Sequence, residues 1–146
     1  MSQGSNMNWS TRYSKKDSMK MVWKQLKKSY DTKDMEWIKD AKWSGPIEVP
    51  LDDVDFSTKK TWKAHHEPEL VKSKEKKIKN DKRKPVVLID TPKDGKLFVL
   101  DGHHRAMAYE NLNMPITAFV GKVDRVKGPW DEFHSKQKPK DPEQKL

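Results

Sequence analysis

The chain has 146 residues, room for one compact domain with extensions, and only 33% of them are hydrophobic against 36% charged, so a core can draw on only part of the chain. Lysine and arginine number 31 against 22 acidic residues, a net charge of +9 that favours polyanions or acidic partners. The absence of cysteine excludes disulfides, thiolate zinc sites and cysteine nucleophiles, and no apolar run approaches the roughly 20 residues of a membrane span.

The polar start, without the apolar segment of a secretory signal, leads us to expect a soluble protein of a reducing compartment, the cytoplasm. Met1 to Ser14 is expected to be mobile. Met19, Val22, Trp23, Leu26 and Tyr30 recur at helical spacing and predict an amphipathic helix over 18–30. A short second helix is expected over 33–41, with Met35, Ile38 and Ala41 on one side, and Ser44-Gly45-Pro46 reads as a stop. Ile47 to Val54 reads as a strand with a following turn, and Pro50 within it argues for an edge position or a strand end. Residues 55–69 read as irregular, and 70–79 as a helix with Leu70, Val71, Lys74 and Ile78 inward.

Pro85 to Ile89 and Lys96 to Leu100 read as two strands of a hairpin around Asp94-Gly95. A helix over 106–112 and a strand over 116–120 follow. The predicted organisation is a helical extension over 1–44, a domain over 45–126 and a basic, disordered tail over 127–146. Trp37, Trp43 and Trp62 are expected to fasten the extension to the domain.

The charge is concentrated: 59–84 carries eleven lysines and arginines against four acids, or +7. Such a block either attracts nucleic acid or nucleotide phosphates, or is a solvated helix face. Lysine outnumbers arginine in it, which favours backbone attraction over base readout.

The chemistry concentrates at Asp101-Gly102-His103-His104-Arg105, where a strand hands over to a helix. Backbone N–H groups and the positive helix end make such a turn an anion site. Gly102 permits close approach, Arg105 can fork onto phosphate oxygens, and His103 and His104 can donate hydrogen bonds, move protons or bind metal. Asp101 can hold magnesium or fix a histidine tautomer. Asp52 and Asp53 are accessory candidates for a base or metal ligand, with Glu48 and Asp55 behind them. His65 and His66, followed by Glu67, are candidates to join a divalent metal site.

The order of Ile-Glu-Val-Pro-Leu-Asp (47–52), a lysine-rich helix, Lys-Pro-Val-Val-Leu-Ile (84–89), a hairpin, Leu-Asp-Gly-His-His-Arg-Ala-Met-Ala-Tyr (100–109) and Pro-Ile-Thr-Ala-Phe-Val (115–120) resembles the ParB/sulfiredoxin superfamily over about residues 45–122. The resemblance implies an α/β (α+β) fold with a small mixed sheet and flanking helices. ParB N-terminal domains carry Gly-Glu-Arg-Arg at this turn and bind CTP. Sulfiredoxins carry Gly-Cys-His-Arg for ATP-dependent phosphoryl transfer, and archaeal free-serine kinases carry Asp-Gly-His-Thr-Arg.

By position, the resemblance places Gly102, His104 and Arg105 on phosphate, and His103 where sulfiredoxin has its cysteine. Asp101, His103, His104 and Arg105 are thereby the catalytic candidates, with ATP or CTP and Mg2+ as ligands. Without cysteine, sulfiredoxin chemistry is excluded. The N-terminal helices and Gly-Pro-Trp-Asp-Glu-Phe-His-Ser (128–135) are similar to phage and prophage domains labelled ParB-like nuclease, some attached to head-morphogenesis proteins. Three functions follow as expectations: nucleotide-dependent phosphoryl transfer or hydrolysis, a DNA-binding or nuclease-like module, or a non-catalytic phage head accessory with phage proteins as partners.

Overall fold

The computed structural model describes residues 15–80, 84–92 and 96–133. Helix α1 (Lys15–Leu26) is followed by 3-10 turns at Thr32–Asp34 and Glu36–Lys39, then strand β1 (Lys42–Val49). A 3-10 turn at Leu51–Asp53 and the short β2 (Val54–Asp55) lead into helices α2 (Lys59–His65) and α3 (Pro68–Lys79). Strands β3 (Val86–Asp90) and β4 (Leu97–Asp101), helix α4 (His103–Asn111), strand β5 (Ile116–Lys122) and the single turn α5 (Trp130–Phe133) complete the order.

The strands form one mixed sheet in the order β1-β5-β3-β4-β2. β1 with β5 and β3 with β4 run antiparallel, whereas β3 with β5 and β2 with β4 run parallel. The chain is thus the expected mixture of a small mixed sheet and flanking helices. β3 is central and covered on both faces, which explains why Val86 to Ile89 is a continuous apolar run rather than an alternating one.

Successive side chains of a strand point to opposite faces, and the two cores divide accordingly. Val87, Ile89, Leu100 and Phe119 face a layer made by α1, the 3-10 turns and α5. Val86, Leu88, Val99 and Ala118 face α2, α3 and α4. On the first face Tyr30 stacks on Phe133 with ring centroids 4.0 Å apart, and Trp37 meets Trp130 and Phe133 edge-on. The core therefore crosses both expected boundaries. Residues 15–44 supply Val22, Leu26, Tyr30 and Trp43 to it, and Trp130 and Phe133 come from the segment expected to be tail, because one face of the central strands has no other cover.

Several local expectations are corrected. The second helix is a pair of 3-10 turns: Trp37 and Ile38, adjacent in sequence, are both buried, and the Ile38 carbonyl accepts from Trp43 Nε1 at 2.7 Å. Ser44-Gly45-Pro46 does not stop the chain but bulges within β1, with the register shifting between Ser44 and Ile47. Gly45 sits at φ +107°, and a Cβ there would lie 2.5 Å from the Ala118 carbonyl oxygen. Residues 59–65 are helical rather than irregular, with Thr61 and Ala64 packed inward. Leu70 is exposed rather than inward, and Trp62 is 61% exposed on α2 and fastens nothing. The Asp94-Gly95 turn, the first fourteen residues and the segment beyond Phe133 lie outside the described residues. Among the described residues no helix is long and apolar enough to cross a membrane.

If the C-terminal turn belongs to the core, Phe133→Ala should lower stability by about 3–5 kcal/mol, the usual cost of emptying a buried phenylalanine site. Trp62→Ala should change it by less than about 0.5 kcal/mol. Chemical denaturation of the two variants checks both, and equal small losses would place residue 133 outside the core.

Candidate functional site

The sheet ends where β4 hands over to α4, and there the two helical layers diverge around a cleft of about 680 Å³. Its floor is Lys84 with Asp101, Gly102, His103, His104 and Arg105. Lys63, Glu67 and Lys74 form the wall on the side of α2 and α3, and the opposite wall is α1 and its continuation to Tyr30. Helix α4 begins at His103, not at Ala106 as the alanines suggested, so His103, His104 and Arg105 form its first turn.

Gly102 is the N-cap of α4 at φ +88°, in the left-handed region, and no side chain caps the helix. Its missing side chain has a second use. A Cβ at residue 102 would sit 2.9 Å from Arg105 Nη2 and 3.2 Å from both Cζ and Nε, so the guanidinium folds back beneath the glycine. Arg105 Nη2 donates to the Pro85 carbonyl at 3.4 Å and to Asp101 Oδ2 at 3.5 Å, both long, and its buried Nε has no acceptor. The side chain is only 16% exposed. A half-buried guanidinium with one loose carboxylate and spare donors can accept a further anionic partner.

Adjacent residues on a helix point about 100° apart, and the two histidines diverge accordingly. His103 Nδ1 lies 3.0 Å from Thr61 Oγ1 on α2, and Thr61 in turn accepts from Thr58 Oγ1 at 3.0 Å. His104 Nε2 lies 2.8 Å from Glu67 Oε1. An ionised carboxylate only accepts, so Nε2 carries the proton and Glu67 sets the tautomer of His104, leaving Nδ1 as the basic nitrogen.

The remaining candidates are elsewhere. Asp52 and Asp53 are exposed on the 3-10 turn after β1 and do not line the cleft. His65 and His66 are exposed at the end of α2, where the His66 ring packs 4.1 Å from Trp62. Among the described residues no three His, Asp or Glu side chains converge as a metal cage. Among the described residues, Asp101 and Glu67 are the two carboxylates on the cleft, hard oxygen donors of the kind that magnesium takes.

Among the described residues six cations line the cleft: Lys24, Lys28, Lys63, Lys74, Lys84 and Arg105. Burial lowers the pKa of Lys74, and the nearby charges of Lys77, Arg105 and Lys84 lower it further. The basic block of 59–84 is thereby divided. Lys63, Lys74 and Lys84 turn into the cleft, while Lys72, Lys76, Lys77 and Lys79 stay on the outer face of α3. Lys24, Gln25, Lys28 and Tyr30 are not legible as site residues from the sequence, because nothing local marks one helix as the wall of a cleft whose floor lies far along the chain. Thr61 is missed for the same reason, since its partner His103 is 42 positions away.

Tyr30, buried at the end of the α1 wall, has its pKa raised by burial and then by the negative charge of Asp101. Below the unfolded value of about 10 both states hold the proton, and this contribution to stability is fully present. Above it the unfolded chain ionises while the native phenol does not, so stability falls by up to about 1.4 kcal/mol per pH unit from this group. Denaturation curves between neutral pH and pH 11 should therefore decline less steeply above pH 10 for Tyr30→Phe than for the wild type. Parallel declines would contradict the assignment.

No family model, curated protein or solved structure matches this chain.

Proposed function

We propose that this protein binds a nucleotide through its phosphates, in the cleft at the N-terminus of α4. The observation that carries this reading is the Arg105 guanidinium, seated beneath Gly102 with a buried Nε that lacks an acceptor, in a cleft that gathers six cations around two carboxylates. Like charges drawn together from five segments raise the energy of the free protein, and an anion bearing several charges relieves that cost. The volume suits a small molecule rather than a duplex, since ligand pockets commonly measure about 300–1,000 Å³. The Asp-Gly-His-His-Arg resemblance to nucleotide-binding ParB/sulfiredoxin members supports the same ligand class, and with it phosphoryl transfer or hydrolysis. In that chemistry Arg105 and the α4 N-terminus hold the phosphates. His104, oriented by Glu67, serves as the proton acceptor for the attacking hydroxyl or water.

Isothermal titration with ATP and CTP, with and without magnesium, tests the reading. Arg105→Ala should weaken binding by about tenfold or more, the worth of a charge-assisted hydrogen bond, while the variant still folds cooperatively. Gly102→Ala should do the same by displacing the guanidinium. The reading fails if no nucleotide binds, or if binding survives both substitutions. His104→Ala should retain nucleotide binding yet lower turnover by about a hundredfold, within the range of general-base contributions.

A second reading is favoured by one observation, the outer lysines of α3 at 72, 76, 77 and 79, which suit a nucleic-acid backbone. Retention of duplex DNA should then fall with salt, and replacing these four by glutamine should flatten that slope by about 0.9 for each phosphate no longer neutralised. A wild-type protein that does not retain DNA at low salt excludes it.

A further inference from the structure

Helix α1 reads in the sequence as an extension attached to a domain, and its packing shows how it is oriented. Val22 and Leu26 are fully buried against the sheet, and Ser18 Oγ donates to the Gly45 carbonyl at 2.7 Å, which together set the rotation of the helix. Gln25 Nε2 donates to the Pro85 carbonyl at 3.0 Å, the same oxygen that Arg105 reaches. This pins the helix over the start of β3, beside the seat of the arginine. With the rotation set, positions 21, 24, 25 and 28 form the next stripe round, at i, i+3, i+4 and i+7, and all four line the cleft.

Two of the four are lysines. Lys24 and Lys28 are exposed, on the wall opposite Lys63 and Lys74, with Arg105 and Lys84 on the floor between. A cation near a helix C-terminus also complements the helix dipole, but that benefit needs no cleft and is equally open to the other lysines of the last turns. A single phosphate held by Arg105 and the first turn of α4 would satisfy the floor alone and leave both walls repelling across it. A chain of phosphates would extend from the floor toward the walls and neutralise them.

We infer that Lys24 and Lys28 of α1 form a second phosphate-binding wall that makes the cleft selective for polyphosphate chains, nucleoside di- and triphosphates, over monophosphates. The inference rests on the nucleotide reading above and adds the length of the phosphate chain and the element that measures it. Selectivity arises because each further phosphate brings negative charge to lysines that a monophosphate does not reach. The effective dielectric in a cleft is lower than in bulk water, so such interactions are screened less than on an open surface.

Titration calorimetry at constant ionic strength with AMP, ADP, ATP and inorganic tripolyphosphate tests it. The wild type should bind ATP about a hundredfold more tightly than AMP, with ADP between and tripolyphosphate near ATP. Lys24→Gln with Lys28→Gln should reduce the ATP-to-AMP ratio by about tenfold, with AMP affinity falling far less than that of ATP. A control, Lys20→Gln with Lys33→Gln, removes the same charge from exposed positions off the cleft and should leave the ratio unchanged. All four substitutions are on exposed side chains, and far-UV circular dichroism verifies that each variant is folded. Equal affinity of the wild type for ATP and AMP, an unchanged ratio in the double variant, or the same fall in the control would overturn the inference while leaving a nucleotide site in place. If none of the four probes binds, this inference fails, and the nucleotide reading fails with it if CTP does not bind either.

Discussion

Everything in this fold depends on covering the central strand on both faces. Val86 to Ile89 are fully buried, with alternate residues pointing to opposite cores, so the chain must supply two helical layers. The segment between β4 and β5 and the two helices before β3 serve one face. For the other the chain draws on both of its outer parts: α1 and the 3-10 turns before the sheet, and Trp130 and Phe133 after it. Two layers on one sheet separate where the strands end, and the separation at the end of β4 becomes the cleft. The site is thus a consequence of how the core is closed.

Within that cleft the backbone conformation of one glycine sets the electrostatics. Gly102 turns the chain from strand to helix in a conformation that side chains rarely adopt, and the space a side chain would fill there receives the arginine three residues later. The guanidinium is then shielded from water, only loosely paired with Asp101, and surrounded by lysines from both layers. Water would normally compensate such a concentration of positive charge. Burial reduces that compensation, as the lowered pKa of Lys74 reflects. The two histidines of the same turn are divided between roles by helix geometry, His103 toward Thr61 and His104 toward Glu67.

Local reading succeeds or fails for identifiable reasons. The hairpin strands, β5 and the α3 helix are legible because apolar runs and helical spacing are local properties. Ser44-Gly45-Pro46 reads as a stop because glycine and proline usually punctuate. Here the glycine allows a bulge against the Ala118 carbonyl, and the strand continues. Trp62 and Trp130 both lie in polar, charged stretches of the sequence, yet one is exposed and the other packs on Trp37. Composition near Trp130 resembles a tail, and only the uncovered face of the sheet makes it core.

The amino-acid sequence by itself determined the central apolar strand and the strand-to-helix turn at Asp101 to Arg105, each encoded within about ten neighbouring residues by periodicity or turn chemistry. The mixed α/β class was expected from the order of motifs along the whole chain, through their resemblance to a known superfamily. Only the tertiary structure decided which lysines face the cleft, that Glu67 orients His104, and that the N-terminal helix is a wall of the site. Those outcomes depend on how each helix is rotated and docked on the sheet, and hydrogen bonds between distant residues, such as Ser18 with Gly45 and Gln25 with Pro85, set that rotation.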